Sequence, residues 1–213
     1  PSRGLGDVYK RQGLVTMNIT VHRGTHQIGG SAIEISTEST RIMLDFGNEL
    51  SLDEKYIPIN LDIDGVTKGM PDCDGIVISH YHIDHLGQLT SALPAIPLYM
   101  GELSKEIALI GAEYLGANTF RGGDVFSIGD IRIRPLVIDH SAADSYMFVI
   151  EAEGKRVLYT GDFRMHGLRH HVLDKLVNTY IGEVDVLITE GTSLSRDCLL
   201  YTSPSPRDGA TSR

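Results

Sequence analysis

The sequence predicts a layered α/β protein, and three observations carry that expectation. Short apolar or alternating runs of strand length fall into two groups along the chain. Stretches with helical spacing stand between and after them. One run, Gly75-Ile76-Val77-Ile78-Ser79, is continuously apolar, the mark of a strand buried on both faces. Strands in two groups with helices outside imply stacked layers around a shared core.

In order, Asn18–Arg23 alternates as a strand, and Ala32–Ser36 and Arg41–Leu44 continue as short β-rich runs. Between the first two lies a glycine-rich loop, Gly24-Thr25-His26-Gln27-Ile28-Gly29-Gly30-Ser31. Asp45-Phe46-Gly47 then opens a polar, irregular stretch to about Asp74, broken by Pro58 and Pro71. The buried strand 75–79 delivers a histidine run at its C-terminal end. Residues 86–93 and 103–115 have helical spacing, with a short strand at 97–100 between them. Residues 125–128 and 131–137 read as a hairpin over Gly129-Asp130, and 145–151 and 156–160 as another over Glu153-Gly154. A helix over 172–181 and a strand at 184–189 finish the ordered part.

A length of 213 residues allows one substantial domain. Hydrophobic residues make up 41% of the chain and mean hydropathy is close to zero, as for a soluble protein. No apolar run is long enough to cross a bilayer, and the N-terminus lacks the apolar stretch of a secretory signal. Two cysteines, Cys73 and Cys198, make neither a disulfide framework nor a thiolate zinc site, so the expected compartment is the cytoplasm. The formal charge of −9 argues against a polyanionic ligand. Acids that hold cations weaken that objection, because bound metals become the largest local charges.

The ends read differently from the middle. Residues 1–12 and 197–213 lack periodicity, and the latter are rich in Ser, Pro, Arg and Thr. Both resemble translated sequencing-adapter ends; genuine disordered tails are the alternative. The expectation is a non-native leader over 1–16, a natural start at Met17, a domain over 17–196 cut short near Arg196, and a non-native tail over 197–213.

The chemistry concentrates in His80-Tyr81-His82-Ile83-Asp84-His85. Side chains at i and i+2 of an extended segment point the same way, so His80 and His82 can grip one metal. Asp84 and His85 follow as the chain turns into a helix and can face a second. Imidazole and carboxylate are zinc ligands, at about 2.0–2.2 Å. A lone histidine is more often structural, but three with an aspartate in six positions at a strand end point to ligation. His140, in Ile138-Asp139-His140-Ser141, closes another strand and can complete the first metal's shell. Asp162, in Gly161-Asp162-Phe163, closes a third and can bridge both metals. Asp45 ends a strand too, where it can orient a ligand histidine. His22 and His26 read as structural or loop residues.

These pieces, in this order, resemble the metallo-β-lactamase superfamily over about residues 18–195, and more narrowly its β-CASP ribonuclease branch. Gln27-Ile28-Gly29-Gly30-Ser31 is similar to that branch's opening glycine-rich motif. His140-Ser141-Ala142-Ala143-Asp144-Ser145, Gly161-Asp162-Phe163-Arg164 and Thr189-Glu190-Gly191-Thr192 resemble three more of its motifs. The resemblance implies an αββα sandwich, incomplete at the C-terminus. In the family the β-CASP domain follows the Glu-x-Thr motif, and the chain then returns with a last metal-binding histidine that this sequence lacks. His166, His170 and His171 follow Asp162 too closely to serve as that ligand.

The resemblance implies two divalent metals, zinc or alternatively manganese, held by His80, His82, Asp84, His85, His140 and Asp162. It implies a hydroxide attacking phosphorus, with Asp84 orienting it and Glu190 helping to protonate the leaving oxygen. Ser141, Ser145 and His166 are candidate substrate contacts, with a solvated turn the stronger reading of His166. The leading expectation is an RNA-processing phosphodiesterase, with DNA the variant substrate and a homo-oligomer the form of the longer protein. One alternative is a hydrolase of a small thioester, lactone or lactam, although the aromatic-poor loop 49–74 does not favour lactams. The other is an inactive fragment short of one ligand.

Overall fold

A computed structural model describes residues 17–51, 53, 57–108, 116–165, 167, 169 and 171–192. The expected leader and tail, and the last residues of the expected domain, lie outside the described residues. Two sheets stack face to face. In the first, β1 (Asn18–Arg23), β2 (Ala32–Ser36) and β3 (Arg41–Leu44) run antiparallel, and β4 (Gly75–Val77), β5 (Leu98–Gly101) and β6 (Asn118–Phe120) extend it in parallel, in that order. The second has the order β11-β10-β9-β8-β7. There β7 (Phe126–Ile128), β8 (Ile131–Val137), β9 (Tyr146–Ala152) and β10 (Lys155–Tyr159) are antiparallel, and β11 (Val186–Ile188) joins β10 in parallel.

Strand alternation builds the layers. Ile42 and Leu44 of β3 face Phe148, Ile150 and Tyr159 of the other sheet in the central core. Met43 and Ile76 point the opposite way and pack with Leu86 and Leu89 beneath α1 (Ile83–Leu86). Met147, Val149 and Leu158 cover the outer face of the second sheet against Leu176 of α3 (Val172–Leu176). Each fully buried large apolar side chain, such as Phe148, contributes roughly 1.5–3 kcal/mol. The result is the expected αββα sandwich of the α/β class.

Both expected hairpins form, over Gly129-Asp130 and Glu153-Gly154. The helices depart most from expectation. In place of one helix over 86–93 there are α1 and a short 3-10 turn, Leu89–Ser91. The cause is tertiary: the Gln88 N–H, which would extend the helix to the Asp84 carbonyl, donates to Phe46 O instead (2.8 Å). The helix expected over 103–115 is seen as α2 (Glu102–Ile107), ending where Ala108 turns extended; 109–115 lie outside the described residues. The expected helix 172–181 is α3 followed by one wider π turn, Val177–Ile181. Strand β6 escaped the sequence reading because only Phe120 of its three residues is buried, leaving no apolar pattern. Among the described residues no helix is long and apolar enough to cross a membrane. His22 pairs with Glu34 at 2.9 Å.

Strand direction gathers the site. β3 and β4 are parallel, so Asp45 and the residues after Val77 emerge side by side, with the Asp45 N–H on Val77 O at 2.9 Å. β8 and β10 also share a direction and end on one edge. The Tyr146 N–H, at the start of β9, donates to Ser79 O (3.1 Å) and ties that edge to the end of β4.

Candidate metal centre

The loop after β3 and Ser31, just before β2, hold the histidine run by its backbone. Helix α1 is four residues long, so its carbonyls need partners from elsewhere. Phe46 N–H donates to His85 O (2.7 Å), Asn48 N–H to Ile83 O (3.0 Å) and Ser31 N–H to Asp84 O (3.1 Å). The approach is so close at Gly47 that a Cβ there would lie 1.6 Å from Asp84 O. A glycine is needed at this point for contact alone, since its φ is not positive.

Two groups of donor atoms result. His80, His82 and His140 offer one nitrogen each, and His80, His85 and Asp162 form a second set, all within 4.8 Å inside each group. In the first, His82 Nδ1 stands 3.1 Å from both His80 Nε2 and His140 Nε2. In the second, Asp162 Oδ1 lies 3.3 Å from His85 Nε2, while its Oδ2 lies 3.8 Å from His140 Nε2. Asp162 thus faces both groups. Asp84 flanks the second, its Oδ2 3.7 Å from His85 Nε2.

A buried carboxylate sets which nitrogens point inward. Asp45 is fully buried, with a positive φ of 55° that aspartate tolerates better than most residues. Its Oδ1 accepts the Ser79 N–H at 2.6 Å. Its Oδ2 accepts from the Ser79 hydroxyl (2.7 Å), His85 Nδ1 (2.7 Å) and the Tyr159 hydroxyl. The one Ser79 hydroxyl proton is committed to Asp45, so Ser79 Oγ accepts from His80 Nδ1 at 3.0 Å. Both His80 and His85 therefore carry N–H on Nδ1 and direct Nε2 toward the cluster. Outer-shell acceptors of this kind fix ligand orientation in metal sites generally.

Electrostatics favour neutral imidazoles in the first group. Burial pushes His80 down to about 2, the neighbouring His85 adding to the effect and Asp45 opposing it. Burial likewise lowers His82, and takes His140 down to about 4 against the pull of Asp162. His85 goes the other way: burial would lower it, but Asp45 and Asp162 lift it to about 10. Burial would raise Asp162, yet its bond to His85 holds it below the usual carboxylate range. Neutral imidazoles crowded at hydrogen-bond distance, beside a carboxylate that stays ionised, are a donor set that suits a divalent cation.

Of the other expected site residues, Glu190 lines a cleft of about 640 Å³ together with Asp84, His85 and Asp162. Its Oε1 accepts the Phe163 N–H (2.8 Å), and burial raises its pKa above the usual carboxylate value. Ser141 is exposed beside the first group, Oγ 3.4 Å from His140 Nε2. Ser145, expected to contact substrate, is instead fully buried; its hydroxyl donates to Ala142 O (3.0 Å) and braces the turn. His166 lies outside the described residues, and so does His170. His26 lines the cleft.

Three participants escaped the sequence reading. Ser79 and Tyr159 complete the Asp45 network. Asp144 receives Ser104 N–H (2.7 Å) and Tyr146 O–H (2.6 Å), so it anchors the loop that carries His140 to α2. Ser79 had a signal, standing at the end of the apolar run 75–79, directly before His80.

Comparison with known proteins agrees with this fold. A family model described as the beta-lactamase superfamily domain matches residues 52–208. An RNase J-like protein of Methanocaldococcus jannaschii is 29% identical over 192 residues, covering 80% of this chain and 41% of that protein. Ribonuclease J of Helicobacter pylori is 27% identical over 171 residues, covering 70% of this chain and 23% of that protein. The chain therefore spans less than half the length of these curated relatives. A crystal structure of a protein of unknown function from Enterococcus faecalis shares the fold, with a TM-score of 0.71 at 23% identity, covering 89% of this chain and 52% of that one.

Proposed function

The chain belongs to the metallo-β-lactamase superfamily, a hydrolytic fold family, with ribonuclease J-like relatives at distant identity; from that premise we propose that it is the metal-binding part of an RNA-cleaving phosphodiesterase. The observation that carries the reading is the pair of abutting donor groups with Asp162 facing both. In this reading His80, His82 and His140 would hold one cation, Asp84 and His85 would help to hold the other, and Asp162, which faces both groups, would be within reach of either. Zinc is the expected metal, with manganese accepted by the same donors. Two such cations supply Lewis acidity toward a phosphoryl oxygen and acidify water.

The chain's own residues do the rest. Asp45 and Ser79 hold His80 and His85 in the tautomers that ligation requires. Asp84 flanks the second group, where a carboxylate can accept a proton from attacking water and fix its direction. Glu190, raised by burial, retains a proton to a higher pH than an ordinary carboxylic acid and can pass it to the leaving oxygen. Ser141 stands exposed at the rim, free to meet a substrate phosphate. Metal charge at the centre offsets the acidic surroundings that would otherwise repel RNA or DNA. The same reading carries a domain over 17–196 and a cytoplasmic location.

The test offers the zinc-loaded and manganese-loaded chain a 5′-labelled RNA, a chromogenic phosphodiester and a thioester. Phosphodiester cleavage that disappears in Asp162→Ala is the expected result. Thioester turnover without phosphodiester cleavage would overturn the reading and favour a small-molecule hydrolase.

A further inference from the structure

We infer that Asp139 is a positioning residue that locks the Asp162 loop to the His140 loop and so fixes the spacing between the two donor groups. Asp139 immediately precedes His140 and is almost wholly buried, yet it reaches neither donor group. All of its acceptors are used on the segment that follows Asp162. Its main-chain carbonyl accepts the Arg164 N–H at 2.8 Å. Its Oδ1 accepts Arg164 Nε at 2.9 Å, and its Oδ2 accepts the Arg169 N–H at 2.6 Å.

Arg164, Gly167 and Arg169 thus gather around one carboxylate. At Gly167 the chain passes so near that a Cβ would lie 2.3 Å from both Asp139 oxygens. The Arg169 guanidinium continues the link by donating to Ala143 O at 3.4 Å, inside the loop that carries His140. The two amides after Asp162 are both held: Phe163 N–H by Glu190 and Arg164 N–H by Asp139. With its following backbone clamped on both sides, Asp162 can keep one oxygen toward His85 and the other toward His140. Charge-assisted bonds from a guanidinium to a buried carboxylate are short and directional, which suits a device that sets geometry.

The experiment compares zinc binding by the wild-type chain, Asp139→Ala, Asp139→Asn and Arg164→Gln, using competition with a chromophoric chelator, alongside thermal unfolding in EDTA. Asp139→Ala is expected to weaken the lower-affinity zinc about 10–100-fold, the range for loss of an outer-shell partner. Asp139→Asn, which keeps an acceptor for Arg164, is expected to restore part of the affinity. Arg164→Gln changes only a partly exposed side chain, so it keeps the test alive if Asp139→Ala does not fold, and it should weaken the same zinc. A purely structural role would lower the melting temperature in EDTA while both zinc affinities stay within about twofold of wild type; that result overturns the inference. The inference rests on the metal-centre reading, and the two fail differently. If the wild-type chain binds no zinc, that reading fails with it. If the wild type binds and the variants match it, only the role of Asp139 falls.

Discussion

Replacing Asp45 by asparagine keeps the shape of the side chain and removes its charge. In the protein, Oδ2 accepts three hydrogen bonds, from His85, Ser79 and Tyr159, and Oδ1 accepts a fourth from the Ser79 backbone. An amide offers a carbonyl oxygen on one side only, so its NH2 must confront one or more buried donors. Each buried donor left unpaired costs about 1–3 kcal/mol. Relaxation keeps the sum below the full count, and breaking a buried charged pair costs about 3–5 kcal/mol. The expected loss for Asp45→Asn in EDTA is therefore about 3–5 kcal/mol, or roughly 6–20 °C in melting temperature for a domain of this size. His85 also loses the acceptor that fixes its Nδ1–H, so zinc affinity should fall about 10–100-fold. Urea and thermal unfolding give the first quantity and chelator competition the second. A variant within about 1 kcal/mol of wild type and with unchanged zinc affinity would refute the role assigned to Asp45, since mutations of no structural consequence fall in that range.

Four further outcomes follow from the same geometry. Gly47→Ala should destabilise the protein by more than about 3 kcal/mol and abolish zinc binding, because its methyl collides with a backbone oxygen that cannot give way. Gly116→Ala, where a Cβ meets nothing within 4 Å, should stay within about 0.5 kcal/mol in the same denaturation assay. The metal-free protein should be most stable near neutral pH. His80 and His140, depressed to about 2 and about 4, stay neutral when folded but charge when unfolded, so stability falls as pH drops below the unfolded value of about 6.5. His85, raised to about 10, contributes stability that is full below about 6.5 and is lost as pH rises through about 10. Urea midpoints from pH 5 to 10 check this, and a monotonic profile would contradict it. Zinc binding at pH 7–8 should also release about one proton, from His85, read as a calorimetric enthalpy that varies with buffer.

The candidate ligands were legible because each sits where a strand's apolar pattern stops, a local signal that needs no knowledge of the fold. The sandwich was legible for the same reason: alternation in β3, β9 and β10 assigns residues to faces before any strand is paired. What escaped depends on contacts distant in sequence. Helix α1 stops because Phe46, about forty residues upstream, takes the next amide, and no local propensity records that. Ser145 reads as an available hydroxyl until the turn closes on it. Asp139 looks like an ordinary turn aspartate, and only the folded chain brings Arg164 and Arg169 around it.

His80 belongs to both donor groups, and this limits how the centre can fill. An imidazole with Nδ1 already protonated has a single lone pair left, and that pair can serve one cation at a time. Whichever ion takes it leaves the other with His85, Asp162 and the flanking Asp84. In the proposed reading loading would be ordered rather than independent: the three imidazoles would hold the first ion, whose charge would raise the cost of admitting a second. A titration should show two separate steps, the later one leaning on carboxylates and so more tolerant of oxygen-preferring metals such as manganese.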